Sequence, residues 1–165
     1  MHPSFSSVRA AAAALCCAVG LAACGGGGSN QADNPPPSAA ISTFSAAYTA
    51  GVAALNSAAG LASAAFVDLF DTSFLDSSRT KTAISAALSA EAAAAQVSPD
   101  LPAFPQVAMS NVSLSDCAYV VDAIVCTMTA TLTNSDVDTT AVTFTTKVRY
   151  TDKVRLLGDQ SASDS

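Results

Sequence analysis

The stretch VDLFDTSFLD holds three aspartates, Asp68, Asp71 and Asp76, close enough in sequence to meet in a fold. Two carboxylates that converge, one of them buried so that its pKa rises, can serve as a general acid and base. Clustered carboxylates also bind calcium, but this stretch lacks the ligand spacing and terminal glutamate of an EF-hand loop. The alternative is that the three side chains cap helix ends and face water, and the sequence leaves it open.

Three tyrosines could place their hydroxyls beside these carboxylates, or could be core residues whose hydroxyls reach solvent. The single histidine, His2, lies in the N-terminal segment, so the rest of the chain has no imidazole for general-base or metal chemistry. The sequence has no nucleophile elbow, phosphate loop or dinucleotide fingerprint. We therefore predict no catalytic residue, no cofactor and no metal site. The candidate pocket residues are Tyr48, Asp71, Asp76, Tyr119 and Tyr150.

The first 23 residues have the organisation of a secretory signal peptide. Arg9 precedes an apolar stretch, residues 10–23, that contains only Ala, Leu, Cys, Val and Gly. A basic start, a short apolar stretch and a small-residue exit are typical of such a peptide. The stretch has about 14 residues, short of the roughly 20 that a membrane-spanning helix needs. We predict cleavage after residue 23; a permanent anchor or a buried helix is the alternative.

The residues at the end of this segment are Leu21, Ala22, Ala23 and Cys24. An aliphatic residue, two small residues and a cysteine resemble the lipobox of bacterial lipoproteins. The resemblance implies that the Cys24 thiol takes a diacylglyceryl group, that cleavage occurs before Cys24, and that the freed amine takes a third acyl chain. Two or more chains anchor a protein stably in a membrane. An aspartate in place of Gly25 would resemble an inner-membrane retention signal, so the resemblance implies the outer membrane, with the domain facing the periplasm.

Residues 24–38 follow as a predicted flexible tether. They include the stretch GGGGSNQADNPPPS, in which Gly and Ser favour coil and Pro favours extended structure. Residues 39–160 are long enough for one domain with one core, and we expect residues 161–165 to be a disordered tail. After residue 23 the chain carries 13 acidic and six basic side chains, which argues against nucleic acid as a partner.

The domain divides into a helical half and a strand half. Apolar residues over 39–97 recur at helical spacing, and Gly60 and the polar stretch DTSFLDSS divide them into about three helices. Residues 124–133 then alternate with period two, with Ile124, Cys126 and Met128 on one face and threonines on the other. Residues 141–151 repeat this pattern, and a short strand follows at 154–157. We predict an α+β domain whose helices pack on one face of an antiparallel sheet of about four strands.

The order of these elements and the phrases AAYTAGVAALN, LFDTSFLDS and VRYTDKVRLLGDQ resemble the nuclear transport factor 2-like, cystatin-like cone fold. The resemblance covers most of residues 39–160 and implies helices that enclose a cone-shaped pocket against a curved sheet. Catalytic relatives use histidine–aspartate pairs, which this chain cannot form after residue 23, so the resemblance carries over no catalytic residue.

Two functions follow from these features. The missing histidine favours a lipid-anchored periplasmic binding or scaffold module, which engages a small apolar ligand or an envelope protein and contacts the membrane through Cys24. The alternative is a small pocket enzyme of isomerase, cyclase or hydrolase type that uses Asp and Tyr. A buried Asp–Tyr pair in a cavity would favour the enzyme, whereas an interior filled with side chains would favour the scaffold.

Cys117 and Cys126 remain once the signal peptide and Cys24 are set aside. Strand patterns flank a tight turn near residues 121–122, and a turn centred there makes Cys117 face Cys126. An even pair of cysteines in an oxidising compartment favours a disulfide, and two buried free thiols are the alternative. We predict a structural cross-strand bridge.

Overall fold

The structure, a computed structural model, describes residues 35–97, 107–134 and 137–161. The elements in chain order are α1 (Ser38–Ala54), α2 (Ala58–Leu61), a 3-10 helix (Val67–Leu69), β1 (Leu75–Asp76), β2 (Arg79–Thr80), α3 (Lys81–Val97), β3 (Val107–Val120), β4 (Ala123–Asn134), β5 (Val137–Tyr150) and β6 (Val154–Leu156). The predicted α+β class is confirmed, because three α-helices precede a curled four-stranded antiparallel sheet in the order β3-β4-β5-β6.

Helix α1 buries the apolar face that its residue spacing predicted. Phe44, Tyr48 and Val52 recur every four residues, which places them on one side of the helix, and all three are buried. The rings of Phe44 and Tyr48 lie 5.8 Å apart between centroids. Ser38, a serine after three prolines, is predicted by its residue type to cap the helix, but this prediction is wrong, because the helix already begins at Ser38, after an extended Pro37.

The apolar spacing of Leu61, Ala65, Phe66, Leu69 and Phe70 predicts one short second helix, and this prediction is wrong. Helix α2 has only four residues and contains Gly60, which disfavours helix propagation. The 3-10 helix follows, and the segment brings Phe66, Phe70 and Phe74 together. Ring centroids are 5.1 Å apart for the first pair and 4.5 Å for the second. Aromatic packing therefore organises this segment more than helical periodicity does.

Strands β3 and β4 form a hairpin with the predicted turn and register. Tyr119 pairs with Ile124 across the turn at residues 121–122. Cys117 and Cys126 are disulfide-bonded, with their Cα atoms 4.1 Å apart, so the predicted bridge is confirmed. The bridge therefore fixes the two strands close behind the turn.

Two register shifts interrupt β3, one between residues 110 and 113 and one between 115 and 118. Each contains a residue in the left-handed region, Asn111 at φ 53° and Asp116 at φ 50°. An extra residue with positive φ is typical of a β-bulge, which bends its strand and increases the local twist. The bulges are a local reason for the curl of the sheet.

Strand β4 supplies much of the core. Ile124, Cys126, Met128 and Ala130 are buried on one face, as their alternation predicted. These side chains belong to the same buried cluster as the inward faces of α1 and α3. Helix α1 therefore packs along β3, whereas α3 packs against α2 and the 3-10 helix, and both helices contribute side chains to one core.

The sheet has two distinguishable ends. Ile124 pairs with Val148, so the β3–β4 turn lies at the same end as the β5–β6 connection at residues 151–153. We call this the hairpin end. At the opposite end, the Asn56 side chain makes two hydrogen bonds with the backbone of Val107, the first residue of β3, each 2.8 Å long.

Helix α1 begins at the hairpin end. Its first turn, residues 39–40, borders a groove together with residues 152–153 of the β5–β6 connection. Its last turn leads into Asn56, which is bonded to the opposite end of the sheet. The N-terminal segment of the chain therefore joins the domain at the hairpin end.

Candidate functional site

Tyr48 and Asp76 line a small cavity inside the fold. Tyr48 comes from α1 and Asp76 from β1, and both are buried, with Asp76 only 5% exposed. The cavity has a volume of about 20 Å³, which is room for a single water molecule. Its other lining residues are Phe66, Phe70, Phe74, Met128, Phe144, Thr146, Leu156 and Gly158. A space of this size holds no substrate or drug-sized ligand.

Asp76 is paired with a second carboxyl group, that of Asp159, to which it is hydrogen-bonded. Burial and the neighbouring charge of Asp159 raise the pKa of Asp76 above its ordinary value. Burial acts in the same way on Asp159, but hydrogen bonds from the Ser161 backbone and hydroxyl, both 2.7 Å, outweigh it and lower the pKa of Asp159. The two pKa values are therefore shifted in opposite directions, and Asp76 is the member of the pair that is protonated first as the pH falls.

The arrangement gives Asp76 the character of a buried acid. Opposite pKa shifts in a carboxyl pair are one way in which enzymes separate an acid from a base. Within the described residues, Asp76 Oδ1 is buried without a hydrogen-bond partner. A water molecule in the cavity would have enough room and would find a hydrogen-bond acceptor there. The cavity is therefore suited to binding one water molecule.

Asp71 is tied into an ion pair and does not line the cavity. Arg149 Nη1 lies 2.7 Å from Asp71 Oδ1, which also accepts hydrogen bonds from the backbone and the hydroxyl of Ser73, 2.9 and 2.7 Å long. Burial opposes the ionisation of Asp71, but these hydrogen bonds and the charge of Arg149 prevail and lower its pKa. Asp71 is thus a charged structural link between the segment after the 3-10 helix and β5.

Of the two alternatives left open for the clustered aspartates, exposure to water describes Asp68, which is exposed. Asp71 and Asp76 are instead buried, each 5% exposed. Their burial is explained by Arg149 and Asp159, two partners that sequence reasoning missed. Alternation over residues 141–151 places Arg149 on the face opposite Val148 and Tyr150, away from the predicted core. Asp159 lies in the GDQ stretch after β6, where Gly158 at φ 73° turns the chain back towards Leu75.

The structure separates the other two tyrosines from Tyr48. Tyr119 lies one residue pair from the β3–β4 turn and is exposed. Tyr150 ends β5, where it is half-buried and packs against the core. Neither is among the residues that line the Asp76 cavity. The predicted pocket set therefore reduces to Tyr48 and Asp76, because β3 and β5 carry the other two to the hairpin end.

A second, open depression lies at the hairpin end, between α1 and the β5–β6 connection. Its volume is about 260 Å³, just below the range of roughly 300–1,000 Å³ that is typical of small-molecule sites. It is lined by Ala39, Ala40, Thr43, Phe44, Ala47, Ala65, Asp68, Leu69, Asp152, Lys153 and Val154. Alanines form much of the helical wall, so the groove offers small contacts rather than deep anchoring pockets.

The predicted lipidation site, Cys24, lies outside the described residues, as do residues 1–23 and the tether up to residue 34. Residues 162–165 of the predicted tail also lie outside, whereas the Ser161 carbonyl accepts a hydrogen bond of 3.2 Å from the Ser78 backbone.

In the described ranges, no group of three or more His, Cys, Asp and Glu side chains could hold a metal ion. The same part of the chain contains no helix long and apolar enough to cross a membrane.

No protein-family model, curated protein or solved structure matches this chain. The lipobox and cone-fold resemblances therefore stay predictions.

Proposed function

We propose that the protein is a lipid-anchored component of the bacterial outer membrane that acts through its surface, as a scaffold or docking module in the periplasm. The observation that carries this proposal is the filled interior. Within the described residues, α1, α3, the Phe66–Phe70–Phe74 cluster and the inner face of the sheet form one buried core, and the cavity beside Tyr48 and Asp76 is about 20 Å³. Small-molecule sites usually have a volume of roughly 300–1,000 Å³.

The N-terminal sequence supports the anchored location. An apolar segment ends in Leu21, Ala22, Ala23 and Cys24, and a Gly- and Pro-rich stretch separates this cysteine from α1. The Cys117–Cys126 disulfide also supports export, because structural disulfides persist in oxidising compartments and are rare in the cytosol. The excess of 13 acidic over six basic side chains after residue 23 favours anchoring by acyl chains over attraction to anionic lipid.

A pocket enzyme is the second candidate, because Tyr48 and Asp76 are both buried on one cavity and burial raises the pKa of Asp76. Catalysis there would require the aromatic lining to open, since the cavity has room for one water molecule. A turnover that Asp76→Asn abolishes, in a variant that still folds, would favour the enzyme over the scaffold.

The anchoring part of the proposal is tested with two serine variants of the full chain in a Gram-negative host. Cys24→Ser removes the thiol that would be acylated, and Cys17→Ser is the matched control, since it changes a cysteine within the same apolar segment. We expect the parent and Cys17→Ser in the outer-membrane fraction at the processed size, and Cys24→Ser unprocessed. Equal processing of Cys24→Ser and the parent would contradict anchoring through Cys24.

The surface-acting part is tested by native mass spectrometry of the detergent-released protein. We expect the mass of the polypeptide and its acyl chains alone, because the cavity among the described residues has room for a single water molecule. A small molecule retained at one equivalent would show that the interior opens, and would overturn this part of the proposal without touching the anchor.

A further inference from the structure

The tip of the β3–β4 hairpin presents three consecutive apolar side chains to solvent. Tyr119 is 37% exposed, Val120 52% and Val121 74%. Other positions along β3 carry polar residues, and a turn is also expected to be polar, so three consecutive apolar residues are unusual at this place. Large exposed apolar residues that are contiguous, rather than scattered, mark surfaces that contact a partner or a membrane.

Val121 also occupies a backbone conformation that its side chain disfavours. Its φ is 29°, and that of Asp122 is 66°, so both turn residues lie in the left-handed region. Two-residue turns of this kind strongly prefer Asn, Asp or Gly, and a β-branched residue there is an outlier. Valine at residue 121 therefore lowers the local stability of the turn. Strained positions of this sort cluster at functional sites.

The tip is held rigidly by the residues behind it. The Cys117–Cys126 disulfide joins the two strands just before Tyr119, and β4 is paired with β5 along the same stretch. The three apolar side chains therefore keep their relative positions without support from a partner. A rigid apolar tip loses little conformational entropy when it is buried.

The location of the hairpin tip in the domain indicates which kind of surface could contact it. Helix α1 begins at the hairpin end, so the chain leading back to Cys24 leaves the domain at the end where the tip lies. Cys24 and Ser38 are 14 residues apart, a length that spans at most about 50 Å when fully extended and about 20 Å on average for a Gly-rich coil. An acylated Cys24 would hold the hairpin end within reach of the bilayer surface.

We propose that the hairpin tip, residues 119–121, inserts into the interfacial layer of the membrane that carries the lipid anchor. The proposal rests on the proposed anchoring of Cys24. The occupant is a phospholipid surface: the valines enter the boundary between headgroups and acyl chains, and the Tyr119 ring lies at the headgroup level, where tyrosine is enriched in membrane proteins. The insertion orients the domain with the opposite end of the sheet, at Val107 and Asn134, away from the membrane.

The chain contains no tryptophan, so one can be introduced as a depth probe. Tyr119→Trp places it at the tip. Val97→Trp is the matched control, because Val97 is 80% exposed and is the last residue of α3. The first residue of this helix, Lys81, donates a hydrogen bond from its ammonium group to the Phe70 carbonyl. Each lipidated full-length variant is reconstituted into phosphatidylcholine vesicles with ordinary or brominated acyl chains, which quench only tryptophan in contact with them.

We expect brominated lipid to remove about half of the Tyr119→Trp emission, as for a side chain inserted by roughly 5–10 Å, and to leave the Val97→Trp emission unchanged. Adding Val120→Asn and Val121→Asn should abolish the quenching. Asn suits the positive φ of residue 121, and residue 120 is an exposed strand position, so these changes keep the hairpin folded, which a circular dichroism melt verifies.

Unquenched Tyr119→Trp emission would overturn the proposal and leave a protein partner or a second copy of the chain as the occupant. Quenching that persists in the asparagine variant would also overturn it, because the valines would then have no part in insertion. The intact mass of the same samples separates this failure from that of the anchor: an acylated Cys24 with unquenched emission refutes only the insertion.

Discussion

Reduction of the Cys117–Cys126 bridge should destabilise the domain by an amount that its loop length sets. The two cysteines are nine residues apart, and the loop-entropy model gives roughly 2.7 kcal/mol for a loop of this size. An unfolding entropy of about 2.1 cal/mol/K per residue over roughly 120 residues converts this loss into a decrease in Tm of about 10 °C. The native sheet should survive, because β4 keeps its pairing with β5.

The assay is thermal unfolding followed by far-ultraviolet circular dichroism, with and without complete reduction, which thiol labelling confirms. The double variant Cys117→Ala with Cys126→Ala is the control, since its Tm should be lowered already and should not respond to the reductant. A fully reduced parent that melts within about 2 °C of the oxidised protein would refute the reasoning. It would mean that the bridge does not restrict the unfolded chain in the way that the loop-entropy model assumes.

The remaining stability predictions concern Asp76 and Gly158. Because the pKa of Asp76 is raised in the native state, its contribution to stability is complete below the ordinary value of 3.8 and is lost as the pH rises through the native pKa. Asp76→Asn imitates the protonated form, so it should be more stable than the parent at neutral pH, by about 1–2 kcal/mol, with the difference shrinking towards pH 3.8 in denaturant titrations. A less stable variant at neutral pH would contradict the raised pKa of Asp76. Gly158→Ala should cost about 2 kcal/mol or more, because φ is 73° there and an added Cβ would collide with the Leu75 carbonyl oxygen; an unchanged melting curve would contradict this account of the turn.

The strand half of the fold could be predicted from local sequence because its signals are local. Alternation in β4 identifies the buried face, and the turn at residues 121–122 sets the register that joins Cys117 to Cys126. The stripe of Phe44, Tyr48 and Val52 likewise identifies the buried face of α1 from a few turns of helix. In each case the information lies within about ten residues of the element that it predicts.

The site residues could be predicted only in part, because their environments are built from distant segments. Asp71 is buried by its pairing with Arg149, 78 residues away, and Asp76 by its pairing with Asp159 near the end of the chain. No local pattern in VDLFDTSFLD distinguishes a carboxylate with such a partner from one that faces water. The break in the second helix has a similar origin, since tertiary packing of Phe66, Phe70 and Phe74 overrides the helical spacing of that segment.

The central claim is that acyl chains on Cys24 hold this domain at the membrane. The most direct measurement is the mass of the N-terminal peptide from the detergent-extracted mature protein, with Cys24→Ser as the reference. The account predicts that the peptide begins at Cys24 and carries a diacylglyceryl group and an amide-linked acyl chain. A mature peptide that begins elsewhere, or that carries an unmodified Cys24 thiol, would contradict it.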